Sequence, residues 1–293
     1  MEHTQTLSVE TQPIARQPKD YKSDLEPIWC PGCGDYGVLN ALFKALSQLN
    51  IDPDRTVLVS GIGCSSRLPG FVVTYGFHGV HGRILPVATG IKLANPELTV
   101  IGVGGDGDGY SIGMEHFPHA CRRNIDITYL VMNNQIYGLT KGQTSPTSSP
   151  MFVTKTTPFG NVEGTLNPLQ IAIVSGATFV ARGYSSMPNQ LARIIAEAIR
   201  HPGFALVDVF SPCVTFNKVQ TFDYYKGRVY EVPETHDPTD KFAALKLAEE
   251  EERFPIGILY RVERPTLDEQ VAMIKQRAHT DNPSVEHLFR RFQ

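Results

Sequence analysis

The sequence predicts an α/β fold in which a mostly parallel, doubly wound sheet carries helices on both faces. Short apolar, β-branched runs alternate with longer stretches that have helical periodicity. Glycines and polar residues directly follow several of the apolar runs, as they do where parallel strands end beside a ligand. The chain has 293 residues, of which 41% are hydrophobic and 19% charged, so it can bury one large core or two smaller ones.

The first elements of this core lie between residues 35 and 103. Residues 35–49 carry apolar side chains at helical spacing, and Thr56-Val-Leu-Val-Ser60 is a short β-branched run that predicts a strand. A glycine-rich turn follows, then a predicted helix at 85–93. The apolar run Leu98-Thr-Val-Ile-Gly-Val103 predicts the next buried strand.

The later elements continue the alternation. They are a helix at 111–123, a strand at 127–132, a helix at 168–175, a strand at 178–182, a helix at 187–200 and a strand at 204–210. Pro188 falls in the first turn of its helix, where the missing N–H costs nothing. Helices placed between strands in this way predict parallel βαβ winding.

Both ends of the chain differ from this core in composition. Residues 1–28 are rich in Gln, Thr, Pro and charge, and they predict a poorly ordered arm or a segment that lies on a partner. Residues 29–213 form the predicted ligand-binding domain. Residues 214–293 are predicted to be an extension that packs on partner subunits, with charged helices at 241–253 and 266–279.

Polar residues at two strand ends predict a site for Mg²⁺ and a diphosphate. Asp106 follows the strand at 98–103 within Gly-Gly-Asp-Gly-Asp-Gly, and Asn134 follows the strand at 127–132. The glycines let backbone N–H groups approach phosphate oxygens closely. Carboxylate and amide oxygens suit a hard cation, and the separation of 28 positions (134 − 106) has room for one crossover helix. Either motif alone would be ordinary turn chemistry.

The five cysteines form a second constellation. Cys30 and Cys33 make a C-x-x-C pair, Cys64 lies in a Gly-rich turn, and Cys213 follows the strand at 204–210. A redox disulfide is disfavoured because the polar residues before the pair do not predict a strand. Zinc and a [4Fe–4S] cluster both accept four thiolates, and spacing alone does not choose between them. Cys121, inside a predicted helix, is expected to be an ordinary buried thiol.

The motifs resemble two nested families. Gly-Asp-Gly followed after just under thirty residues by Asn-Asn is similar to the thiamine-diphosphate enzymes. The stretches Trp29-Cys-Pro-Gly-Cys-Gly34, Gly63-Cys-Ser-Ser66, His81 to Pro96, and Tyr137-Gly-Leu-Thr-Lys-Gly-Gln143 resemble the β subunits of 2-oxoacid:ferredoxin oxidoreductases, 2-oxoglutarate-oxidising members above all. This resemblance runs from about Trp29 to Cys213.

The resemblance implies cofactors and their ligands. Asp106, Asn134 and the carbonyl of Ile136 would hold Mg²⁺. Cys30, Cys33, Cys64 and Cys213 would ligate one [4Fe–4S] cluster. The residues expected around thiamine diphosphate are Gly63, Cys64, Ser65, His81, Gly105, Asp106, Gly107, Asp108, Asn134, Ile136, Tyr137, Gly138 and Leu139. Asp108 would touch the diphosphate or cap the helix after Gly109.

The same resemblance implies an activity and partners. A 2-oxoacid would be oxidatively decarboxylated with coenzyme A as acyl acceptor, and electrons would pass through the cluster to ferredoxin. A cluster of low potential would also permit the reverse reaction. Thiamine enzymes split the cofactor site between a diphosphate and a pyrimidine domain, and this chain has room only for the first. An α subunit is therefore expected to complete the site, most simply in an α2β2 assembly.

Two cations suggest the choice of substrate. Arg67 follows the Cys64 turn and Lys141 follows the Asn134 loop, so both loops are expected on the cofactor side of the sheet. A dicarboxylate leaves a second charge that is costly to desolvate unpaired, whereas pyruvate has one. Two cations therefore favour 2-oxoglutarate as substrate, with a pyruvate-type or broad-range enzyme as the alternative.

Composition argues against a nucleic-acid-binding protein and against a membrane protein. The net charge of −3 gives no reason to expect nucleic acid, and no apolar run approaches the ~20 residues of a membrane span. Thiols at metal-like spacing suit the reducing cytoplasm. A cluster-free thiamine lyase and a zinc-stabilised scaffold module remain as alternatives, and bound iron or bound zinc would distinguish them.

Overall fold

The apolar runs of the sequence form a mixed sheet in the structure, which is a computed structural model. The structure describes residues 15–278, 284–290 and 292. Within these residues the sheet has eight strands in the order β2-β1-β3-β4-β6-β5-β8-β7. The strands are β1 (Thr56–Ser60), β2 (Tyr75–His78), β3 (Thr99–Gly105), β4 (Thr128–Asn133), β5 (Phe179–Tyr184), β6 (Ala205–Phe210), β7 (Val229–Glu231) and β8 (Phe254–Arg261).

Helices connect and cover these strands. They are α1 (Asp35–Gln48), α2 (Ile84–Ala94), α3 (His116–Arg123), α4 (Pro168–Val174), α5 (Pro188–Arg200), α6 (Phe222–Tyr225), α7 (Lys241–Glu249), α8 (Leu267–Arg277) and α9 (Val285–Arg290). Strands β1 to β6 pair in parallel, and β8 runs antiparallel to β5. Each helix of the described residues is too short or too polar to cross a membrane.

Alternating side chains of the strands build a core on each face of the sheet. Leu58 and Leu130 pack with α1 and α5 on one face. Val57 and Tyr129, each one residue away, pack with α2, α3 and α4 on the other. This period of two explains why strands buried on both faces read as continuous apolar runs. The predicted doubly wound α/β fold is confirmed.

The strand order places a ligand crevice between β1 and β3, the second and third strands of the sheet. β2 lies on one side of β1 and β3 lies on the other, so the direction of winding reverses between β1 and β3. Such a reversal leaves an open crevice at the carboxyl ends of the strands. The turns after β1, β3 and β4 meet there, and they carry the motifs that the sequence analysis singled out.

The predicted helices and strands of the core occur with small shifts at their ends. β3 continues through Gly105, so the first glycines of the Gly-Asp-Gly motif belong to the strand. The helix predicted at 111–123 is interrupted: a π-helical turn spans Asp108–Ile112, and α3 starts only at His116. The short strands β2 and β7 were not predicted.

The C-terminal extension contributes to the sheet itself. The helix predicted at 241–253 ends at Glu249, and the following residues form β8 beside β5. Ile256 and Leu259 of β8 are buried. Residues 254–261 are therefore part of the domain, rather than an appendage that only packs on partners.

Part of the predicted N-terminal arm packs on the domain. Tyr21 is fully buried, and its hydroxyl lies 2.7 Å from the carbonyl oxygen of Ile51 and 3.0 Å from that of Leu46. Lys22 forms a β-bridge with Val72. Residues 15–28 are thus attached to the core, while the first 14 residues of the arm lie outside the described residues.

Candidate functional site

The turns after β1, β3 and β4 enclose a cavity of about 550 Å³ at the carboxyl edge of the sheet. Every residue that the resemblance assigned to the cofactor lines it. The lining residues are Ile62, Gly63, Cys64, Ser65, His81, Gly105, Asp106, Gly107, Asp108, Asn134, Ile136, Tyr137, Gly138, Leu139, Thr140 and Gln143. Strand geometry brings them together, because parallel strands end at one edge.

Asp106 is a buried carboxylate at the floor of this cavity. It is 1% exposed; its Oδ1 accepts from the backbone N–H of Asn134 at 3.2 Å, and its Oδ2 accepts from the Thr147 hydroxyl at 2.8 Å. Burial raises the pKa of Asp106, while hydrogen bonds from Ser145, Thr147 and Asn134 oppose that rise. A cation at this position would stabilise the ionised carboxylate that burial disfavours.

The other two proposed Mg²⁺ ligands lie in the turn after β4. Asn134 Oδ1 accepts from the backbone N–H of Ile136 at 3.1 Å, and Gln135 between them has a φ of 57°. A carboxylate, an amide oxygen and a backbone carbonyl at one cavity are the hard oxygen donors that Mg²⁺ takes in proteins. The donor set therefore fits Mg²⁺.

Small residues keep the cavity open to a large ligand. A side chain at Gly107 would overlap the ring of Tyr137, whose hydroxyl donates to the Gly107 carbonyl at 3.0 Å. Gly63 has a φ of 136°, which favours glycine strongly. These positions let the backbone line the cavity directly, as close approach to a diphosphate requires.

Asp108 does not cap the helical turn that follows Gly107, and its contact with the diphosphate stays a prediction. The π-helical turn is preceded by Gly107 without a side-chain cap. Asp108 Oδ1 instead lies 2.6 Å from His81 Nδ1 and accepts from the backbone N–H groups of Gly82 at 2.8 Å and Ile62 at 3.1 Å. Although Asp108 lines the cavity, its hydrogen bonds join three loops around it.

A second cavity of about 270 Å³ is lined by Cys30, Cys33, Cys64 and Cys213. A Cβ added to Gly138 would lie 3.6 Å from Cys213 Sγ and 3.7 Å from Cys64 Sγ, so these thiols converge on one point. The structure thus brings together all the predicted thiol ligands. Cys121 is buried in α3, away from this cavity.

Three of the four thiols are partly or fully buried, and Cys30 is exposed. Burial, with a contribution from Asp35, raises the pKa of Cys64 to about 11 and the pKa of Cys33 still further. Bound metal would be needed to keep these groups as thiolates at neutral pH. Among the described residues, no three His, Cys, Asp or Glu side chains are arranged to hold a single metal ion. Four thiols around one cavity match the donor set of a four-iron cluster.

Three side chains of this region were missed by the sequence analysis. Asp35 is buried, accepts from the Ser211 hydroxyl at 2.6 Å, and has its pKa raised to about 6 by burial. Trp29 Nε1 donates to the Cys64 carbonyl at 2.7 Å and fixes the cysteine turn. Thr147 contacts Asp106 from a distant loop. Only Trp29, next to the C-x-x-C pair, had a local signal.

Arg67 and Lys141 both line the thiol cavity beside the cofactor cavity. Arg67 also lines a third cavity of about 580 Å³ with Glu26 and His78. Lys141 has a φ of 76°, in a tight turn in which its N–H donates to the Gly138 carbonyl at 3.1 Å. The two cations therefore lie near the cofactor cavity, although neither is part of its lining.

Comparisons with known proteins agree with this architecture. A family model of the C-terminal thiamine pyrophosphate-binding domain of thiamine pyrophosphate enzymes matches residues 61–209. A second model, of the C-terminal region of pyruvate ferredoxin oxidoreductase β subunits, matches residues 213–276. Subunit β of 2-oxoacid:ferredoxin oxidoreductase 1 from Aeropyrum pernix is 46% identical over 90% of this chain and 87% of its own length. The chain belongs to the β subunits of the 2-oxoacid:ferredoxin oxidoreductases.

Relatives of this β subunit include proteins named for 2-oxoglutarate. A solved 2-oxoglutarate:ferredoxin oxidoreductase from Magnetococcus marinus, with 2-oxoglutarate, coenzyme A and succinyl-CoA bound, matches with a TM-score of 0.92 and 45% identity over 95% of this chain and 96% of that chain. The 2-oxoglutarate oxidoreductase subunit KorB of Mycobacterium tuberculosis is 48% identical over 73% of this chain and 57% of its own length. This β subunit is thus part of a multisubunit oxidoreductase.

Proposed function

We propose that the chain carries the diphosphate half of a thiamine site and a [4Fe–4S] cluster in an enzyme that oxidises 2-oxoglutarate. The reaction is 2-oxoglutarate + CoA + 2 oxidised ferredoxin to succinyl-CoA + CO₂ + 2 reduced ferredoxin + H⁺. The observation that carries this proposal is that Cys64, Asn134, Gly138 and Leu139 line both the cofactor cavity and the thiol cavity. The substrate that is oxidised in the first cavity and the cluster that accepts its electrons in the second would therefore be separated only by these shared residues.

Residues of the first cavity would hold the cofactor. Asp106, Asn134 and the Ile136 carbonyl would bind Mg²⁺, and the backbone beside Gly105 and Gly107 would approach the diphosphate. Thiamine diphosphate bound there supplies a nucleophilic carbon and an electron sink for decarboxylation. His81 lines the cavity and its Nδ1 is held by Asp108, so its other ring nitrogen would be available to hydrogen-bond the ligand.

Residues of the second cavity would hold the cluster. Cys30, Cys33, Cys64 and Cys213 supply four thiols, of which Cys213 is buried, Cys33 and Cys64 are partly buried and Cys30 is exposed. Low solvent exposure and nearby charge set the reduction potential of such clusters. The negative Asp35 carboxylate beside Cys33 favours a low potential, which suits transfer to ferredoxin and would permit the reverse reaction.

The preference for 2-oxoglutarate rests on the two cations and on the relatives. Arg67 and Lys141 are exposed and supply positive charge at the lining of the thiol cavity. A second substrate carboxylate would need such a partner on entering the site. Several relatives are named 2-oxoglutarate synthase or oxidoreductase subunits. One of them is the 2-oxoglutarate synthase subunit KorB of Methanocaldococcus jannaschii, at 47% identity. A pyruvate-type or broad-range specificity is the competing assignment.

A second polypeptide is expected to complete this cofactor site. The cofactor cavity opens to solvent, and the family model that matches residues 61–209 is the C-terminal thiamine pyrophosphate-binding domain of such enzymes. An α subunit carrying the pyrimidine-binding domain would cover it, in an α2β2 assembly that works in the cytoplasm. The expected consequence is that the isolated β subunit is inactive.

The proposal is tested by purifying the complex without oxygen. We expect bound thiamine diphosphate, about four irons per β subunit, visible sulfur-to-iron absorbance, and CoA-dependent reduction of ferredoxin by 2-oxoglutarate. The β subunit alone should show none of this activity. A colourless thiamine-containing complex would favour a cluster-free lyase, tightly bound zinc without thiamine affinity would favour a scaffold module, and full activity of β alone would contradict the need for α.

A further inference from the structure

Three buried hydroxyls lie in the long loop between β4 and α4. Ser145, Thr147 and Ser148, from the loop between β4 and α4, are 4%, 2% and 0% exposed. Burying hydroxyl groups is unfavourable unless they find hydrogen-bond partners. The Thr147 and Ser148 hydroxyls have partners at the two strand ends that form the proposed metal site. The Ser145 hydroxyl lies 3.4 Å from Thr147 Oγ1 and 3.3 Å from Ser148 Oγ, within the same loop.

The contacts reach both halves of that site. The Thr147 hydroxyl lies 2.8 Å from Asp106 Oδ2 and 2.9 Å from Asn133 Oδ1, so it connects the end of β3 with the end of β4. The Ser148 hydroxyl donates to the carbonyl of Gln135 at 2.7 Å, in the turn between Asn134 and Ile136. The same Ser148 oxygen accepts from the backbone N–H of Ser145 at 2.8 Å.

The contact through Asn133 is anchored in the core. Asn133 Nδ2 lies 3.3 Å from both carboxylate oxygens of Asp208 on β6, and the Tyr110 hydroxyl donates to Asp208 at 2.8 Å. Asn133, Asp208 and Tyr110 are at most 3% exposed. Buried polar contacts therefore run from Asp208 on β6 through Asn133 to the Thr147 hydroxyl, whose single proton is donated either to Asn133 Oδ1 or to Asp106 Oδ2.

We infer that Ser145, Thr147 and Ser148 are positioning residues, which hold the Asp106 carboxylate and the 134–136 turn in the geometry that binds Mg²⁺ and the diphosphate. This inference rests on the proposed function and adds to it a set of residues that touch neither metal nor substrate. Partners of metal ligands are worth about 10- to 100-fold in metal affinity in other proteins. We expect Thr147 to have the largest effect on Mg²⁺ affinity, because its hydroxyl lies within hydrogen-bond distance of residues at both strand ends.

The test compares three variants of the assembled complex. Thr147→Val removes the hydroxyl and keeps the shape of the side chain, whereas Thr147→Ser keeps the hydroxyl. Thr128→Val is the matched control, since Thr128 is also a buried threonine of the β4 region, 4% exposed, whose hydroxyl donates to the Ala198 carbonyl at 3.2 Å at the other end of the strand. The readouts are the Mg²⁺ dependence of thiamine diphosphate binding, by calorimetry, and the cluster absorbance.

We expect Thr147→Val to weaken Mg²⁺-dependent binding by about tenfold or more, and Thr147→Ser by less than about threefold. Thr128→Val should bind as the unaltered complex does, and the cluster absorbance should persist in all variants. Unaltered binding in Thr147→Val, equal losses in Thr147→Val and Thr147→Ser, or an equal loss in Thr128→Val would overturn the inference alone. Absence of Mg²⁺-dependent binding in the unaltered complex would overturn the proposed function as well.

Discussion

His81 Nδ1 lies 2.6 Å from Oδ1 of the buried carboxylate Asp108, which joins the loop after β2 to the turn after β3. The same oxygen accepts from the backbone N–H groups of Gly82 and Ile62. One carboxylate oxygen thus fixes the loops that border three sides of the cofactor cavity. A ring nitrogen held in this way determines which nitrogen of the imidazole faces the cavity.

Asp108→Asn should damage the site more than the fold. The amide oxygen lacks the charge that attracts these donors, and a hydrogen bond to a charged group contributes about 1.5–3 kcal/mol. We expect kcat/KM for the 2-oxoacid to fall about 10- to 100-fold in the assembled complex. Asp240→Asn is the control, because Asp240 caps α7 away from the cavities and Asn is an equally good cap. Equal rates for Asp108→Asn and the unaltered enzyme would contradict this role.

Substitutions of Cys213 and of Cys121 should have different effects on the cluster. Cys213→Ser removes one of the four thiols at the second cavity, so the complex should lose iron, visible absorbance and ferredoxin reduction. Cys121→Ala should keep all three and lower stability by about 1 kcal/mol, since it deletes a small apolar group inside the core. Iron content, visible absorbance and ferredoxin reduction are compared in the two variants, and thermal unfolding measures the change in stability. Full iron content in Cys213→Ser would exclude Cys213 as a ligand.

The core and the cofactor cavity could be predicted because their signals are local. A buried strand ending at a glycine, an acid or an amide is visible in a few residues, as at Asp106 and Asn134. The strand Phe254–Arg261 was missed because it contains Pro255 and Gly257 and directly follows an acidic run that suggested a continuing helix. Pro and Gly both lower the strand signal of a sequence.

The contacts of Thr147 could not be predicted, for a different reason. Asp106 and Thr147 are 41 positions apart, and a threonine in a Ser/Thr/Pro-rich loop has no local pattern that marks it as buried. The position of Tyr21 has a similar explanation, because its polar and charged neighbours suggested an arm free of the domain. In both cases tertiary packing determines burial, and the local composition does not reveal it.

His201 should make the folded protein sensitive to acid. Burial lowers its pKa to about 4, with Arg261 adding to the effect, and its Nε2 lies 2.8 Å from the Thr178 hydroxyl. The folded state therefore favours neutral His201. This stabilisation is present above the unfolded pKa of about 6.5 and is lost as the pH falls towards 4, by roughly 2–3 kcal/mol in total.

His201→Gln cannot take up that proton and should flatten the acid side of the stability curve. The apparent melting temperature of the complex should fall roughly 5 °C less between pH 7 and pH 4.5 in the variant than in the unaltered protein. His119→Gln changes an exposed histidine and should leave the curve unchanged. Parallel curves for His201→Gln and the unaltered protein would show that His201 is protonated equally in both states.

Lys141 should distinguish a dicarboxylate from a monocarboxylate substrate. It lines the thiol cavity together with Arg67, on the loop that follows the proposed Mg²⁺ ligands. A charged contact to the distal carboxylate exists only for 2-oxoglutarate, so Lys141→Ala should lower kcat/KM for 2-oxoglutarate about 10- to 100-fold and change that for pyruvate much less. Lys155→Ala alters an exposed lysine of the following loop that lines none of these cavities and is the control. A loss that is equal for both substrates would assign Lys141 to a contact they share, such as the C1 carboxylate, and no loss for either would leave substrate choice to Arg67 or to the α subunit.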